Sequence, residues 1–171
     1  MFDLMTELDL PVHDHDCPQY LTFELQKENY GISIDSVKEI LVYSNVTTVP
    51  LMPGFVIGVL NLRGEVVPII DLSLRFGKAA TEIKPRSCIV ILEIEFNQEM
   101  LSIGFVVDSV TEVVDIQESQ IEPPPTFGTR IDSKFILGIT NLQNELFILL
   151  QGENVLSVEE MMALIENVVK N

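Results

Sequence analysis

The sequence predicts a mainly-β fold of small closed barrels completed by one C-terminal helix, and three observations carry that reading. Val and Ile recur in short runs that alternate apolar with polar, as half-buried strands do. Gly, Pro and polar turn formers interrupt these runs at intervals too close for the crossover helices of a parallel sheet. Clean helical spacing occurs near the end, beneath a capping signal at Ser157.

Residues 1–18 carry charges, two His and two Pro with little periodicity, and are expected to form a flexible acidic tail with at most a brief amphipathic turn around Phe2, Leu4, Met5 and Leu8. Residues 20–26 alternate as a strand, 27–29 form a polar turn and 30–34 return. Asp35 or Ser36 is expected to cap a helical turn through Val37, Lys38, Glu39 and Ile40. Residues 41–43 and 47–49 are short strands, broken by Pro50 and Pro53-Gly54. Residues 55–62 form a β-branched strand, Arg63-Gly64-Glu65 turns with Gly available for positive φ, and 66–70 pair back. Pro68 has no N–H to give a ladder, which points to an edge or bulged strand.

Asp71 is expected to cap a single helical turn over 72–76 that Gly77 ends. A polar connector, 78–87, leads to strands 88–94 and 101–107 around a turn at 95–99. A break at Asp108-Ser109 precedes Val110, Val113 and Val114, and the stiff run Pro123-Pro124-Pro125 follows. Residues 135–139 and 145–150 are the last strand pair. Ser157 and Glu160 have capping-box spacing before Val158, Met161, Met162, Leu164, Ile165, Val168 and Val169. The expected organisation is the tail, a domain over 19–156, and a helix over 157–171 packed on it. No strict repeat relates the halves, although two barrels of similar design fit the count of roughly ten strands.

The formal charge of −16, from 26 acids against 10 bases, repels phosphate backbones and anionic lipid, so nucleic-acid binding and a polybasic membrane anchor are excluded as readings. No run of about 18 apolar residues predicts a membrane span, and the acidic N-terminus lacks the basic and apolar regions of a secretory signal. Cys17 and Cys88 sit in unlike settings, which argues against a disulfide and for a reducing cytoplasm.

Catalytic chemistry finds little to work with. Both histidines, His13 and His15, lie in the tail, so the body has no His beside a Ser or Cys nucleophile. Phosphate-cradling glycine loops are missing, and Cys88 reads as a buried thiol in an apolar strand. The run His13-Asp14-His15-Asp16-Cys17 holds metal-ligand side chains, but ordering a free segment around an ion costs entropy. Asp71 and Asp108 both close apolar strands and could serve a carboxylate-dependent hydrolase; the alternative is that each accepts backbone N–H groups at a turn. No enzyme and no cofactor are expected.

Arg63 stands out because it follows an apolar strand in a base-poor chain, within Gly58-Val59-Leu60-Asn61-Leu62-Arg63-Gly64. It is either a surface arginine in a weak ion pair or a bidentate anchor for a carboxylate such as Glu39 that shapes a groove. At these residues the chain resembles the CheW family of bacterial chemotaxis adaptors. The same resemblance is carried by Tyr30-Gly31-Ile32, Val37-Lys38-Glu39-Ile40, Val49-Pro50, Phe55, Val67-Pro68-Ile69-Ile70-Asp71-Leu72, residues 104–110, 121–125 and 138–150, and covers about 19–169.

The resemblance implies two small SH3-like five-stranded β-barrels packed side by side with a C-terminal helix. It implies a non-catalytic scaffold that couples methyl-accepting chemoreceptor tips to the regulatory domain of a CheA-type histidine kinase, in the cytoplasm at receptor arrays. An adaptor for a non-motility pathway, surface sensing or second-messenger output, is the alternative. Val37, Glu39, Gly58 and Arg63, with Cys88 and Ile89 nearby, match the family's receptor-binding region; Phe127 and Glu122 match its kinase or ring contact. Glu122 stands where a basic residue can occur, and Gln151-Gly152 replaces an acidic residue after the last strand.

Overall fold

The computed structural model describes residues 17–44, 46–50, 52–124 and 131–166. The expected tail, Phe127 and residues 167–171 of the expected helix lie wholly or mainly outside them. The strands are β1 (Gln19–Leu25), β2 (Glu28–Ser33), β3 (Val37–Val42), β4 (Val56–Leu62), β5 (Glu65–Asp71), β6 (Cys88–Phe96), β7 (Glu99–Val107), β8 (Ser109–Asp115), β9 (Ile136–Leu142) and β10 (Glu145–Leu150). A short α1 (Leu72–Arg75) follows β5, and α2 (Val158–Leu164) follows β10.

These strands form two five-stranded sheets, β8-β1-β2-β10-β9 and β3-β6-β7-β5-β4, called here barrel 1 and barrel 2. Each curls until the chain leaving its first edge strand bridges the far edge. In barrel 2 Thr47 pairs with Val59, through hydrogen bonds of 2.8 and 2.7 Å. In barrel 1 Glu122 pairs with Ile139, at 2.8 Å in both directions.

The two barrels are circular permutations of one plan. Each contains one parallel pair, β5 with β7 or β10 with β2, and the register aligns Ile69↔Gly104 with Leu149↔Gly31. Superposing the ladders sets β3-β4-β5-β6-β7 on β8-β9-β10-β1-β2. In that order a repeat emerges: Asp35-Ser36-Val37-Lys38-Glu39 corresponds to Asp108-Ser109-Val110-Thr111-Glu112. Likewise Gly58, Asn61, Leu62 and Glu65 correspond to Gly138, Asn141, Leu142 and Glu145. A linear comparison of the halves hides it, because the second half of the plan is written at the start of the chain.

Alternation along the strands feeds separate cores. Val67, Ile69, Ile89, Ile91 and Val106 pack together in barrel 2, and Tyr20, Ile116 and Leu149 in barrel 1. The opposite faces of both barrels, with α1 and α2, share the largest core, which joins them. Through it runs an aromatic chain, Phe23–Tyr30–Phe76–Phe135, with ring centroids 5.7, 5.9 and 5.4 Å apart. Arg75 secures α2: Nε donates to the Val155 carbonyl at 2.6 Å and Nη2 to Glu160 Oε1 at 2.9 Å, while the guanidinium lies over Phe55 and Phe135. Glu160 is also the partner of Ser157 in the expected capping box.

Several local expectations shift. Val37–Val42 is strand, and the helical turn falls earlier, at Ile34–Ser36, capped by the Ser33 hydroxyl. The break at Asp108-Ser109 is the start of β8, which the charged residues Glu112 and Asp115 obscure in sequence. The turns at 26–27, 63–64, 97–98 and 143–144 have only two residues, all with positive φ, which matches strand twist and lets the strands run longer than the polarity pattern suggests. β5 lies between β4 and β7, so Pro68 is not on an edge strand. The ladder to β7 begins only at Ile69, and Val59, opposite Pro68, spends its N–H and C=O on Thr47. No donor is missed there.

Candidate functional site

The site predicted around Arg63 assembles on the seam where barrel 2 closes. β3 supplies Val37 and Glu39, β4 supplies Gly58, and the β4–β5 turn supplies Arg63. The turn is set by backbone conformation: Arg63 and Gly64 have φ of 52° and 84°, and Gly64 N–H donates to Asn61 Oδ1 at 3.1 Å. That geometry aims the Arg63 side chain back across the seam. Nη1 donates to Glu39 Oε1 at 2.5 Å and Nη2 to Oε2 at 3.2 Å, a two-pronged contact.

The pair is lopsided. The Glu39 side chain is 10% exposed and that of Arg63 72%. Glu39's hydrogen bonds and charge raise the guanidinium pKa further above its ordinary value. A half-sunken carboxylate thus holds an exposed, planar donor group in one orientation, where a partner's carbonyls or carboxylates can meet it. Of the two readings of Arg63, the bidentate one describes the geometry.

Gly58 makes the seam possible. A Cβ there would lie 2.0 Å from the Thr47 carbonyl oxygen and 2.7 Å from its carbon, so the closing bridge requires a bare backbone. Val37 is half-buried and packs on the core shared by the barrels. Cys88 and Ile89 do not present surface: Ile89 is enclosed inside barrel 2 and Cys88 in the shared core. Burial pushes the Cys88 thiol upward, away from reactive thiolate. These two can influence the site only by shaping β6 beneath β3, to which they pair at Val42 and Leu41.

Glu122 is distant in sequence but equivalent in plan, because it closes barrel 1 as Thr47 closes barrel 2. It rims a cleft with Tyr20, Glu118, Ile121, Pro123 and Leu137, which sequence reasoning did not anticipate. The permuted repeat is the signal that could have found it. The carboxylates considered for hydrolysis are engaged in folding. Asp71 accepts from Ser73 N–H, Leu74 N–H, Thr81 N–H and the Thr81 hydroxyl, and Asp108 from Gln26 N–H. Among the described residues no cluster of three His, Cys, Asp or Glu could hold a metal.

The CheW-like domain family matches residues 19–160, nearly the whole described chain. This chain belongs to that family. CheW-like proteins are non-catalytic adaptors. The chemotaxis protein CheW of Klebsiella aerogenes is 38% identical over 153 residues, covering 90% of this chain and 89% of the relative. That of Treponema pallidum is 30% identical over 146 residues, covering 85% and 86%. The crystal structure of the scaffolding protein CheW from Thermoanaerobacter tengcongensis superposes with a TM-score of 0.76 at 34% identity, over 86% of this chain and 95% of the other. The two-barrel architecture expected from the resemblance is therefore the architecture of the family. Among the described residues no helix is long and apolar enough to cross a membrane.

Proposed function

We propose that this CheW-like chemotaxis adaptor grips a helical chemoreceptor tip at the barrel 2 seam and a CheA-type kinase regulatory domain elsewhere on the same rigid body. The observation that carries the reading is the exposed guanidinium of Arg63, held in a fixed plane by the recessed Glu39 beside the half-buried Val37. An amphipathic helix laid along β3 would bury its apolar stripe, at about 25 cal/mol per Å² of apolar area. Arg63 would fix its register through polar contacts. Gly58, Cys88 and Ile89 support that surface from behind. Glu122 and Phe127 belong to the kinase-facing segment after β8. The docking unit is residues 19–156 with α2 packed on it through Met161 and Leu164.

Holding receptor and kinase together raises their local concentration and lets receptor state bias the kinase's conformational equilibrium, with no bond made or broken in the adaptor. Recruitment to membrane-associated receptor arrays follows from the receptor contact. The test is Arg63→Ala in full-length protein. Unfolding should be unchanged while affinity for a receptor cytoplasmic fragment falls and receptor control of kinase activity is lost. Wild-type receptor affinity in a folded Arg63→Ala protein would remove this role.

A further inference from the structure

Beneath the Arg63 turn, the inward-facing rows of barrel 2 end in polar residues. β5 continues Ile69 and Val67 with Glu65, β6 continues Ile89 and Ile91 with Glu93, and β7 continues Val106 and Gly104 with Ser102. These three residues stand at one open end of the barrel. Facing them, β3 carries a bulge: Val37 pairs with Leu92 and Glu39 with Ile91, so Lys38 is the extra residue. Its side chain reaches across that end. Nζ lies 3.3 Å from Glu65 Oε1 and 3.6 Å from Glu93 Oε2, and it donates to the Ser102 hydroxyl at 3.2 Å. One ammonium group, with three donors, thus serves three strands.

The permuted plan shows that barrel closure does not need this lysine. Its counterpart in barrel 1 is Thr111, whose hydroxyl donates to the Thr22 carbonyl at 3.0 Å. Asn29 and Glu145, the counterparts of Ser102 and Glu65, bond to each other at 3.4 Å, and Gln143 stands in the place of Arg63. Lys38 and Arg63 therefore occur together in one barrel and are both replaced in the other, which ties the lysine to the arginine. At this end of barrel 2 three carboxylates, Glu39, Glu65 and Glu93, share these two cations. Glu65 lies two residues beyond Arg63 on the same hairpin, opposite Leu62. Without Lys38, both Glu65 and Glu93 would compete with Glu39 for a guanidinium that is 72% exposed and able to turn. We infer that Lys38 is a positioning residue for receptor docking: by holding Glu65 and Glu93 it leaves Arg63 to Glu39, in the orientation that presents the remaining N–H groups to the partner. The inference rests on the receptor contact proposed above for Arg63.

The experiment titrates full-length protein with a receptor cytoplasmic fragment and, as a control, with a CheA-type regulatory domain. The variants are Lys38→Met, which keeps the stem and drops the charge, the triple Lys38→Met/Glu65→Gln/Glu93→Gln, and Arg63→Ala. All four positions are exposed, and unfolding midpoints are measured alongside. Receptor affinity should fall about tenfold in Lys38→Met while regulatory-domain affinity stays unchanged, and the Arg63 guanidinium signal in proton–nitrogen NMR should shift. The triple variant should return receptor affinity to within about twofold of wild type, a rescue that a merely structural role for Lys38 would not produce. Wild-type receptor affinity in Lys38→Met overturns the inference, and so does a loss that the triple variant leaves in place. With Arg63→Ala impaired, either result leaves the receptor contact standing. Wild-type receptor affinity in Arg63→Ala overturns that contact, and this inference with it.

Discussion

Replacing Gly58 by Ala tests the seam of barrel 2 directly. The added methyl would sit 2.0 Å from the Thr47 carbonyl oxygen and 3.0 Å from Thr48 Cα, both backbone atoms that no rotamer change can move aside. The closing segment must lift, breaking the reciprocal Thr47–Val59 hydrogen bonds. Each such bond contributes about 0.5–1.5 kcal/mol net, so the loss is about 2 kcal/mol. For a chain of this size that is a fall of roughly 4–8 °C in unfolding midpoint. Amide exchange at Thr47 and Val59 should accelerate, and receptor affinity should fall because β3 and the Arg63 turn lose their common anchor. Gly54→Ala is the control, since a Cβ there meets nothing within 4 Å and φ is not positive. A Gly58→Ala protein as stable as wild type, with both amides still protected, would refute the argument that bare backbone closes the barrel.

Further outcomes are expected elsewhere. Gly138→Ala should cost less than Gly58→Ala under the same denaturation assay, because its backbone clash, 2.7 Å from the Glu122 carbonyl oxygen, is milder than the 2.0 Å one at Thr47, and its nearest neighbour, at 2.4 Å, is the Ile121 side chain. The Tyr30 phenol is raised above its ordinary range by burial first, and then by the charge and hydrogen bond of Glu28. Its folded pKa exceeds its unfolded one, so its contribution is intact below about pH 10 and is lost as pH rises further. Urea midpoints should therefore decline above that pH, with a smaller decline in Tyr30→Phe. Arg75→Gln should lower stability by about 1–3 kcal/mol and loosen α2, read as faster amide exchange in Val158–Leu164. Cys88 should react with a thiol reagent only on unfolding.

Strand identity was legible wherever side chains alternate and turns are polar, as in β1, β5, β6 and β10. It failed at β8, whose outward Glu112 and Asp115 break the apolar rhythm, and at Val37–Val42, where Asp35-Ser36 offered a plausible cap one turn too late. Arg63 and Glu39 were visible as candidates because a base closing an apolar strand, in a chain with 10 bases against 26 acids, invites a carboxylate partner. Their two-pronged geometry depends on a turn with two positive φ values and could not be read from composition. The resemblance placed Cys88 and Ile89 near the receptor-binding region; both are interior, since a family match says nothing about which face of β6 a residue occupies. The barrel 1 cleft was hidden for a different reason: it exists only by contrast with its permuted counterpart.

The permutation also bears on how the chain reaches its native state. Barrel 2 occupies one uninterrupted stretch and can assemble while synthesis proceeds. The hairpin β1–β2, made first, must wait for β10, because its parallel partner registers Asn29 against Phe147. Until then one face of an early hairpin, including Phe23 and Tyr30, has only barrel 2 to shelter against, and the aromatic row between the barrels is the ready surface for it. Lesions in that row should therefore lower the yield of newly made protein more than they lower the stability of protein already folded.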